Sequence, residues 1–358
     1  MSNLFTHLLN ERPFLLADGA LGTNLFTMGL QTGDAPELWN IDHPDRIADL
    51  AQQFIDAGSD ILLTNSFGGT RFRLKLHKAE HRVHELNRAA AQILRQKADI
   101  CDRDIIVAGS MGPTGEIFAP TGTLTYDEAY SAFKEQAEAL KDGGVDVLWI
   151  ETISASEEAK VAYEAAVSTG LPVVYTMSID TNGRTMMGVT PDELVQLSAK
   201  LGTQFDQPPG ACGTNCGVGA AEVVAAIMNM KTSAEQHQLD PVLVAKANCG
   251  IPEYVDGKIV YSGTPELMAS YARMVADAGA RIIGGCCGTT PIHIAAMREA
   301  LDGYQAGDKP ELETLEQVLG AISTGAKAQL NGDLSVAGGS ASGGQTRRSR
   351  RAPRKAQH

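Results

Sequence analysis

The sequence predicts an α/β protein with a (β/α)8 barrel, the TIM-barrel fold, as a single domain followed by a disordered C-terminal tail. Short β-branched runs alternate with longer amphipathic stretches, which is typical of βα units around a parallel sheet. Eight such units occupy about 300 residues, which is the size and strand count of a closed barrel. A doubly wound open sheet is the alternative, because alternation alone does not show that the sheet closes.

The predicted strands are eight apolar runs, each of a length that suits a buried strand. In chain order they span residues 14–20, 60–67, 105–112, 145–152, 172–179, 211–216, 242–250 and 281–287. Helical patterns follow most of them, at 44–57, 81–98, 126–142, 191–201 and 265–278. Several of these begin with proline near the first turn or end at glycine, as helices commonly do.

The domain prediction divides the chain into three parts. Residues 1–312 form the barrel, and 313–330 form a terminal helix that begins near Leu312. Residues 331–358 are rich in glycine and serine and end in a basic run, a composition that buries too little apolar surface to fold. We expect a solvated tail there, with an electrostatic contact to nucleic acid, to an acidic partner or to the acidic body as the alternative.

Composition excludes several classes of protein. The chain has 358 residues, 43% of them hydrophobic, and a net charge of −13, so it can form a large core and offers no general basic face for nucleic acid. No stretch approaches about 20 continuous apolar residues, so we expect no membrane span. The N-terminus lacks the pattern of a secretory signal, and we therefore expect a cytoplasmic protein. Six cysteines in such a chain indicate metal binding or catalysis before disulfides.

Three of these cysteines are placed to meet. In a (β/α)8 barrel the active site lies at the carboxyl ends of the strands. Cys216 ends the sixth predicted strand and the Cys286–Cys287 pair ends the eighth, so we expect their thiols at one rim. Consecutive strand residues point to opposite faces, but the glycines on either side of the pair allow an irregular backbone. Cys101 and Cys212 are expected to pack as small apolar residues.

Three thiolates predict a zinc site with a particular chemistry. They are soft ligands that leave one tetrahedral position open. Because three anionic ligands offset the charge of the ion, it generates hydroxide poorly and binds a fourth sulfur well. A substrate thiol bound there loses its proton and stays nucleophilic. This favours alkyl transfer onto a thiol, and a zinc site with only a structural or redox role is the alternative.

Short polar motifs mark the ends of five predicted strands. They are Asp18-Gly19-Ala20-Leu21-Gly22-Thr23, Thr64-Asn65-Ser66-Phe67-Gly68, Asn215-Cys216, Asn248-Cys249-Gly250 and Gly284-Gly285-Cys286-Cys287-Gly288-Thr289. Together they resemble the motifs of the zinc-dependent homocysteine S-methyltransferase family, and the likeness runs from residue 13 to residue 301. Within that family the sequence is most similar to the bacterial betaine–homocysteine methyltransferases, an impression to which the stretch at 33–40 adds.

The resemblance implies a metal site. Cys216, Cys286 and Cys287 would bind Zn²⁺, with the sulfur of homocysteine as the fourth ligand. Asn248 would occupy that fourth position when substrate is absent. The sequence departs from the family at Cys249, where alanine is more common, so whether Cys249 approaches the ion is left open.

The resemblance also implies a site for the amino acid part of homocysteine. Asp18 and Glu151 match the acidic residues that hold the ammonium group, as carboxylates at a rim can do. Backbone N–H groups of the turn at Gly19 could receive the substrate carboxylate. The expected partners are therefore small molecules, homocysteine and a methyl donor. The resemblance further implies that a homo-oligomer is common.

The methyl donor is the least determined part of the prediction. Glycine betaine carries a methyl group that a thiolate can take directly, which would give methionine and dimethylglycine. Onium cations favour aromatic walls, so Trp39 is the first candidate for the donor site, followed by Phe67 and Asn65.

Other donors stay open. Tyrosines help form the donor site of the animal betaine enzymes at positions where this sequence has Gly68 and Thr152, so the site is built differently or the donor differs. A sulfonium such as dimethylsulfoniopropionate or S-methylmethionine is one alternative. Another is that the chain is the homocysteine-activating subunit of a cobalamin-dependent system.

Overall fold

The computed structural model describes residues 3–180, 182–255 and 258–333. The strands in chain order are β1 (Leu15–Leu16), β2 (Ile61–Leu63), β3 (Ile106–Met111), β4 (Val147–Ile153), β5 (Val173–Met177), β6 (Ala211–Cys216), β7 (Leu243–Ala247), β8 (Pro252–Val255), β9 (Lys258–Tyr261) and β10 (Ala280–Gly285). All but β8 and β9 form one parallel sheet in the order β1-β10-β7-β6-β5-β4-β3-β2. A parallel bridge between Ala17 and Ile61 joins the two ends of this sheet. The predicted (β/α)8 barrel is therefore confirmed.

Helices surround the barrel. They are α1 (Leu4–Glu11), α2 (Gly22–Thr27), α3 (Trp39–Asp42), α4 (Pro44–Asp56), α5 (Arg71–Lys75), α6 (Val83–Asp99), α7 (Tyr126–Asp142), α8 (Ser156–Val167), α9 (Pro191–Phe205), α10 (Ala220–Gln236), α11 (Pro265–Asp277), α12 (Pro291–Leu301), α13 (Leu312–Leu319) and α14 (Thr324–Leu330). Proline stands in the first turn of α4, α9, α11 and α12, where its missing N–H costs no hydrogen bond.

Some helix ends differ from the prediction. A 3-10 turn at Glu80–Arg82 precedes α6, so that helix begins at Val83 rather than at residue 81. Helix α9 continues past residue 201 until Asp206, whose φ of 52° ends the helix. Two short helices occupy the segment predicted as one terminal helix, because Gly320, with a φ of 102°, ends α13.

The barrel interior is apolar at its amino end and polar at its carboxyl end. Alternate strand residues such as Leu15, Ile106, Trp149 and Val244 point inward, and Phe5 of α1 packs beneath them. A second apolar layer lies between the strands and the helices. Because the helix α1 covers the amino end, ligands can approach the interior from the carboxyl end.

Two further predictions concern membrane spans and the C-terminal tail. None of the helices within the described ranges has the length and hydropathy needed to cross a bilayer. The predicted disordered tail spans residues 331–358, and from residue 334 onward it lies outside the described residues.

Candidate active site

One cavity of about 460 Å³ opens at the carboxyl ends of the strands. Its two ends have different linings. At one end lie Cys216, Cys286, Cys287, Glu151 and Lys246, and we refer to this as the thiol end. Phe67, Glu37, Arg73 and His77 also line the cavity, with Glu37 bonded to the Gly68 N–H and attracted by Arg73 and His77, and we refer to this group as the second end.

The three predicted cysteines form the thiol end. Their Sγ atoms all lie within 4.8 Å of one another. Strand β10 ends at Gly285, so Cys286 and Cys287 stand in the turn after it and are free of strand alternation. Cys216 has a φ of 66°, a left-handed conformation that a residue with a side chain rarely adopts. Such strain is often found where a functional side chain must be aimed.

The turn after β10 depends on a close contact with the β8–β9 hairpin. Gly288 has a φ of 78°, and a Cβ atom there would lie 2.3 Å from the ring of Tyr261. Burial and the neighbouring Cys287 thiol raise the pKa of Tyr261, which is consistent with this close packing. The hairpin therefore packs directly on the turn that carries the cysteine pair.

Two asparagines brace the cluster. The Asn248 side chain accepts a hydrogen bond from the Cys287 backbone N–H at 3.0 Å and donates to the Gly217 carbonyl at 2.6 Å. It therefore ties the β6 turn to the β10 turn, beside the cysteines. The Asn215 side chain accepts from the Thr152 N–H at 2.9 Å and donates to the Thr152 hydroxyl at 2.7 Å. This second brace links the end of β6 to the end of β4.

The thiols of Cys249 and Cys212 are not part of this cluster, although the Cys249 backbone N–H donates to the Cys287 carbonyl at 2.9 Å. Cys249 is buried, and its thiol donates to the Gly263 carbonyl at 3.3 Å. Among the described histidine, cysteine, aspartate and glutamate residues, the group that could hold a metal consists of Cys216, Cys286 and Cys287. Cys212 is fully buried in the core.

The cluster fits a tetrahedral thiophilic metal ion. In a tetrahedral site, zinc–sulfur bonds of about 2.3 Å place the sulfur atoms about 3.8 Å apart. The three Sγ atoms lie within 4.8 Å of one another, so they need to move little to bind such an ion. Hydrogen bonding with Cys216 and burial raise the pKa of Cys286 well above its ordinary value, so the cluster is not stable as three thiolates by itself. A cation bound among the sulfurs would favour the deprotonated form. Thiolate ligands with no carboxylate are a donor set that zinc favours.

A buried ion pair lies at the floor of the thiol end. Lys246 of β7 places its Nζ 2.9 Å from Asp18 Oδ1, and both side chains are no more than 3% exposed. Asp18 Oδ2 accepts the backbone N–H of Leu63 at 2.8 Å. Burial by itself lowers the pKa of Lys246, but attraction by Asp18 and Glu151 outweighs it and raises that pKa above the ordinary value. Lys246 is therefore an ammonium group.

Glu151 is the carboxylate that lines the cavity at this end. Its Oε1 accepts a hydrogen bond from the Ser110 hydroxyl. Burial raises the pKa of Glu151, while the Lys246 ammonium opposes that rise. Asp18 differs from the expectation, because it does not line the cavity and its carboxylate is bonded to Lys246. Glu151 is thus the acid placed to meet a cationic group in the cavity.

The turn after β1 brings backbone N–H groups to the cavity. Ala20 N–H is bonded to the Thr289 carbonyl at 3.1 Å, so it is not available to a ligand. Gly19 lines the cavity, and a Cβ atom there would lie 2.5 Å from the same carbonyl. Only glycine fits this close approach.

The second end of the cavity combines aromatic and charged side chains. Phe67 is 37% exposed, and Phe26, which also lines the cavity, is 49% exposed, large fractions for apolar side chains. Glu37 is buried and accepts the Gly68 N–H at 2.6 Å. A Cβ atom at Gly68 would lie 2.9 Å from Glu37 Oε1, so the carboxylate fills the space that a larger residue at 68 would need.

Two of the predicted donor residues, Trp39 and Asn65, differ in whether they line the cavity. Trp39 is 7% exposed, packs in the core and is absent from the cavity lining. Its ring meets His43 edge-on at 4.8 Å and lies under the Arg46 guanidinium, also at 4.8 Å. The structure therefore does not bring Trp39 to the cavity. Asn65 does line it, and its amide donates to the Pro36 carbonyl at 2.7 Å, which fixes the neighbouring loop.

Several cavity residues were missed by the sequence analysis. Lys246 had a signal, since it is a charged residue inside an apolar run that predicts a buried strand. Arg73 and Glu37 had none, because they follow long loops whose path the sequence does not determine. Ser110 lies within the buried strand β3, where the sequence does not distinguish a serine of the site from one that packs in the core.

Comparison with known proteins gives the family and the fold. A family model described as homocysteine S-methyltransferase matches residues 15–301. The homocysteine methyltransferase MmuM of Escherichia coli has the same fold. Its oxidized form superposes with a TM-score of 0.67 at 24% identity, covering 83% of this chain and 99% of that one. Its metallated form gives a TM-score of 0.65 at 24% identity, covering 82% and 98%.

Proposed function

The chain belongs to the homocysteine S-methyltransferase family, and from that premise we propose that it transfers a methyl group from an onium donor, glycine betaine first among them, to homocysteine on a zinc ion. The products would be methionine and dimethylglycine. The observation that carries the proposal is the cluster of three thiols at one end of a cavity whose other end is aromatic and charged.

The thiol end would bind homocysteine. Cys216, Cys286 and Cys287 would hold the zinc ion, which supplies an open position where the substrate thiol binds and loses its proton at neutral pH. Glu151 would accept the substrate ammonium, because it is the carboxylate that lines this end. The Gly19 N–H would donate to the substrate carboxylate.

The charge of this end suits one ammonium group. Asp18 and Glu151 carry two negative charges when ionised, and Lys246 offsets one of them. A single negative charge is left for the amino group of the substrate. Lys246 would therefore act through Asp18, as a positioning residue beneath the substrate.

The transfer step is a direct displacement at carbon. The homocysteine thiolate attacks a methyl group of the donor, forming the sulfur–carbon bond as the carbon–nitrogen bond breaks. The electron pair of the broken bond stays on nitrogen, so the quaternary ammonium becomes the neutral amine of dimethylglycine, and the thiol proton has gone to solvent. The residues contribute alignment and exclusion of water. The exposed rings of Phe26 and Phe67 would contact the cationic methyl groups.

A panel of donors tests the proposal. Zinc-loaded protein is incubated with homocysteine and with glycine betaine, dimethylsulfoniopropionate, S-methylmethionine or a methylated corrinoid, and methionine is measured. We expect methionine from betaine without any other protein. Methionine formed only from the corrinoid would replace the proposal with the cobalamin-dependent alternative.

Metal spectroscopy provides a separate test of the homocysteine site. The zinc X-ray absorption spectrum is recorded with and without homocysteine. We expect one additional zinc–sulfur bond in the presence of the substrate. An unchanged spectrum would favour a structural zinc site and would exclude the proposed thiol activation.

A further inference from the structure

Arg73 is a guanidinium group of the second end whose hydrogen-bonding capacity the protein leaves unused. Its side chain lines the cavity. Over the described ranges, the Arg73 guanidinium forms neither a hydrogen bond nor an ion pair, although the structure has many of both. By contrast, Arg71 on the same helix is paired with Glu135 at 2.7 Å. A partly buried guanidinium whose five N–H donors have no protein acceptor among the described residues is suited to a carboxylate ligand.

The surroundings hold Arg73 in this position. Gly115, with a φ of 80°, lies against it, and a Cβ atom there would be 3.1 Å from Arg73 Nη1. The Arg73 backbone N–H is bonded to the Thr70 hydroxyl at 3.4 Å, at the first turn of α5. The helix cap therefore fixes the backbone of Arg73, and Gly115 leaves room for its guanidinium.

A buried carboxyl group lies nearby. Burial raises the pKa of Glu37, and the attraction of Arg73 and His77 opposes that rise only in part. Glu37 Oε1 accepts the Gly68 N–H at 2.6 Å. The second end thus places the Arg73 guanidinium near a buried carboxyl group and the exposed ring of Phe67.

We propose that Arg73 binds the carboxylate of the methyl donor and thereby selects onium carboxylates over simple onium cations. The inference rests on the proposed function and adds a substrate class to it. The onium group would lie toward Phe67 and Glu37, and the donor carboxylate would accept hydrogen bonds from the Arg73 guanidinium. Glycine betaine and dimethylsulfoniopropionate share this chemistry.

The test removes the charge from the donor and from the protein in turn. Donors with a carboxylate, betaine and dimethylsulfoniopropionate, are compared with tetramethylammonium and trimethylsulfonium, which have none. The ratio of kcat/KM between the two kinds is measured for the wild type, Arg73→Gln, Arg73→Lys and the control Arg71→Gln. Comparing kcat/KM for betaine with that for dimethylsulfoniopropionate distinguishes an ammonium donor from a sulfonium donor.

We expect Arg73→Gln to lower kcat/KM for the carboxylate donors by about 10- to 150-fold, chiefly through KM, and to leave the cations without a carboxylate nearly unchanged. Arg73→Lys should restore part of the preference, and Arg71→Gln should behave as the wild type. A preference that persists in Arg73→Gln, or an equal loss for both kinds of donor, would overturn the assignment. If the wild type uses no onium donor, the proposed function fails instead.

Discussion

The two ends of the cavity differ in how completely the protein satisfies them. At the thiol end, buried polar groups are paired with one another, as in the pairs Asp18–Lys246 and Ser110–Glu151. At the second end, the Arg73 guanidinium has no protein partner among the described residues, and the ring of Phe67 is exposed. A satisfied network is rigid and holds ligands in a fixed geometry, whereas unpaired groups gain most when a ligand arrives. The thiol end is therefore built to position, and the second end to select.

The largest expected effect comes from the cysteines of the thiol end. Replacing Cys286 by alanine should remove the metal and abolish methionine formation, because the thiolates of Cys216 and Cys287 alone would bind zinc weakly. Metal content is measured by inductively coupled plasma mass spectrometry alongside the activity. Cys249→Ala is the matched control, since the Cys249 thiol points to the Gly263 carbonyl and should leave metal content unchanged. Full activity in a metal-free Cys286→Ala protein would contradict the mechanism.

The buried ion pair gives the next effect. Lys246→Met leaves the Asp18 carboxylate buried without its partner, which should lower the free energy of unfolding by about 3–5 kcal/mol. Denaturant unfolding of the metal-loaded protein measures this loss.

The double variant Asp18→Asn/Lys246→Met separates the pair from the packing. Removing both charges together should restore stability to within about 2 kcal/mol of the wild type. If the double variant were as unstable as Lys246→Met, the apolar stem of the lysine, and not its charge, would be the stabilising part.

The comparison also shows what the sequence could predict. The thiol end was predicted because its residues stand at strand ends, and barrel closure brings strand ends together whatever the loops do. Cys216 and Cys286 belong to different strands, yet topology alone places them at one rim. The carboxylate Glu151 follows the same rule.

Barrel closure does not determine which side chains reach the second end, because most of its residues do not stand at strand ends. Trp39 and Glu37 lie two residues apart in a long connection after β1, but only Glu37 reaches the cavity. Their directions depend on a short 3-10 turn at Pro36–Leu38 and on contacts with distant residues such as Arg46. Aromatic character suggested Trp39 as a donor residue, but burial of a large apolar surface in the core places it elsewhere.

Substitution of Glu151 would show whether the ends act separately. Glu151→Gln removes the charge that we assign to the substrate ammonium, and should raise the KM for homocysteine by about 10- to 150-fold. The KM for the donor should stay nearly constant, because the donor binds at the other end. Glu157→Gln, on the exposed surface of α8, is the control. An equal rise in both KM values would show that the two ends are coupled.

The smallest expected effect concerns Trp39. Because the indole packs under Arg46 outside the cavity, Trp39→Phe should leave the KM for the donor within about twofold of the wild type and cost about 1 kcal/mol of stability through a weaker cation–π contact and reduced packing. Phe67→Leu, in contrast, removes an aromatic face that is exposed to the cavity and should raise the donor KM several times more than Trp39→Phe does. Steady-state kinetics at saturating homocysteine distinguish the two. If Trp39→Phe raised the donor KM more than Phe67→Leu, the donor would reach beyond the cavity toward α3, and the division between a positioning end and a selecting end would have to be redrawn.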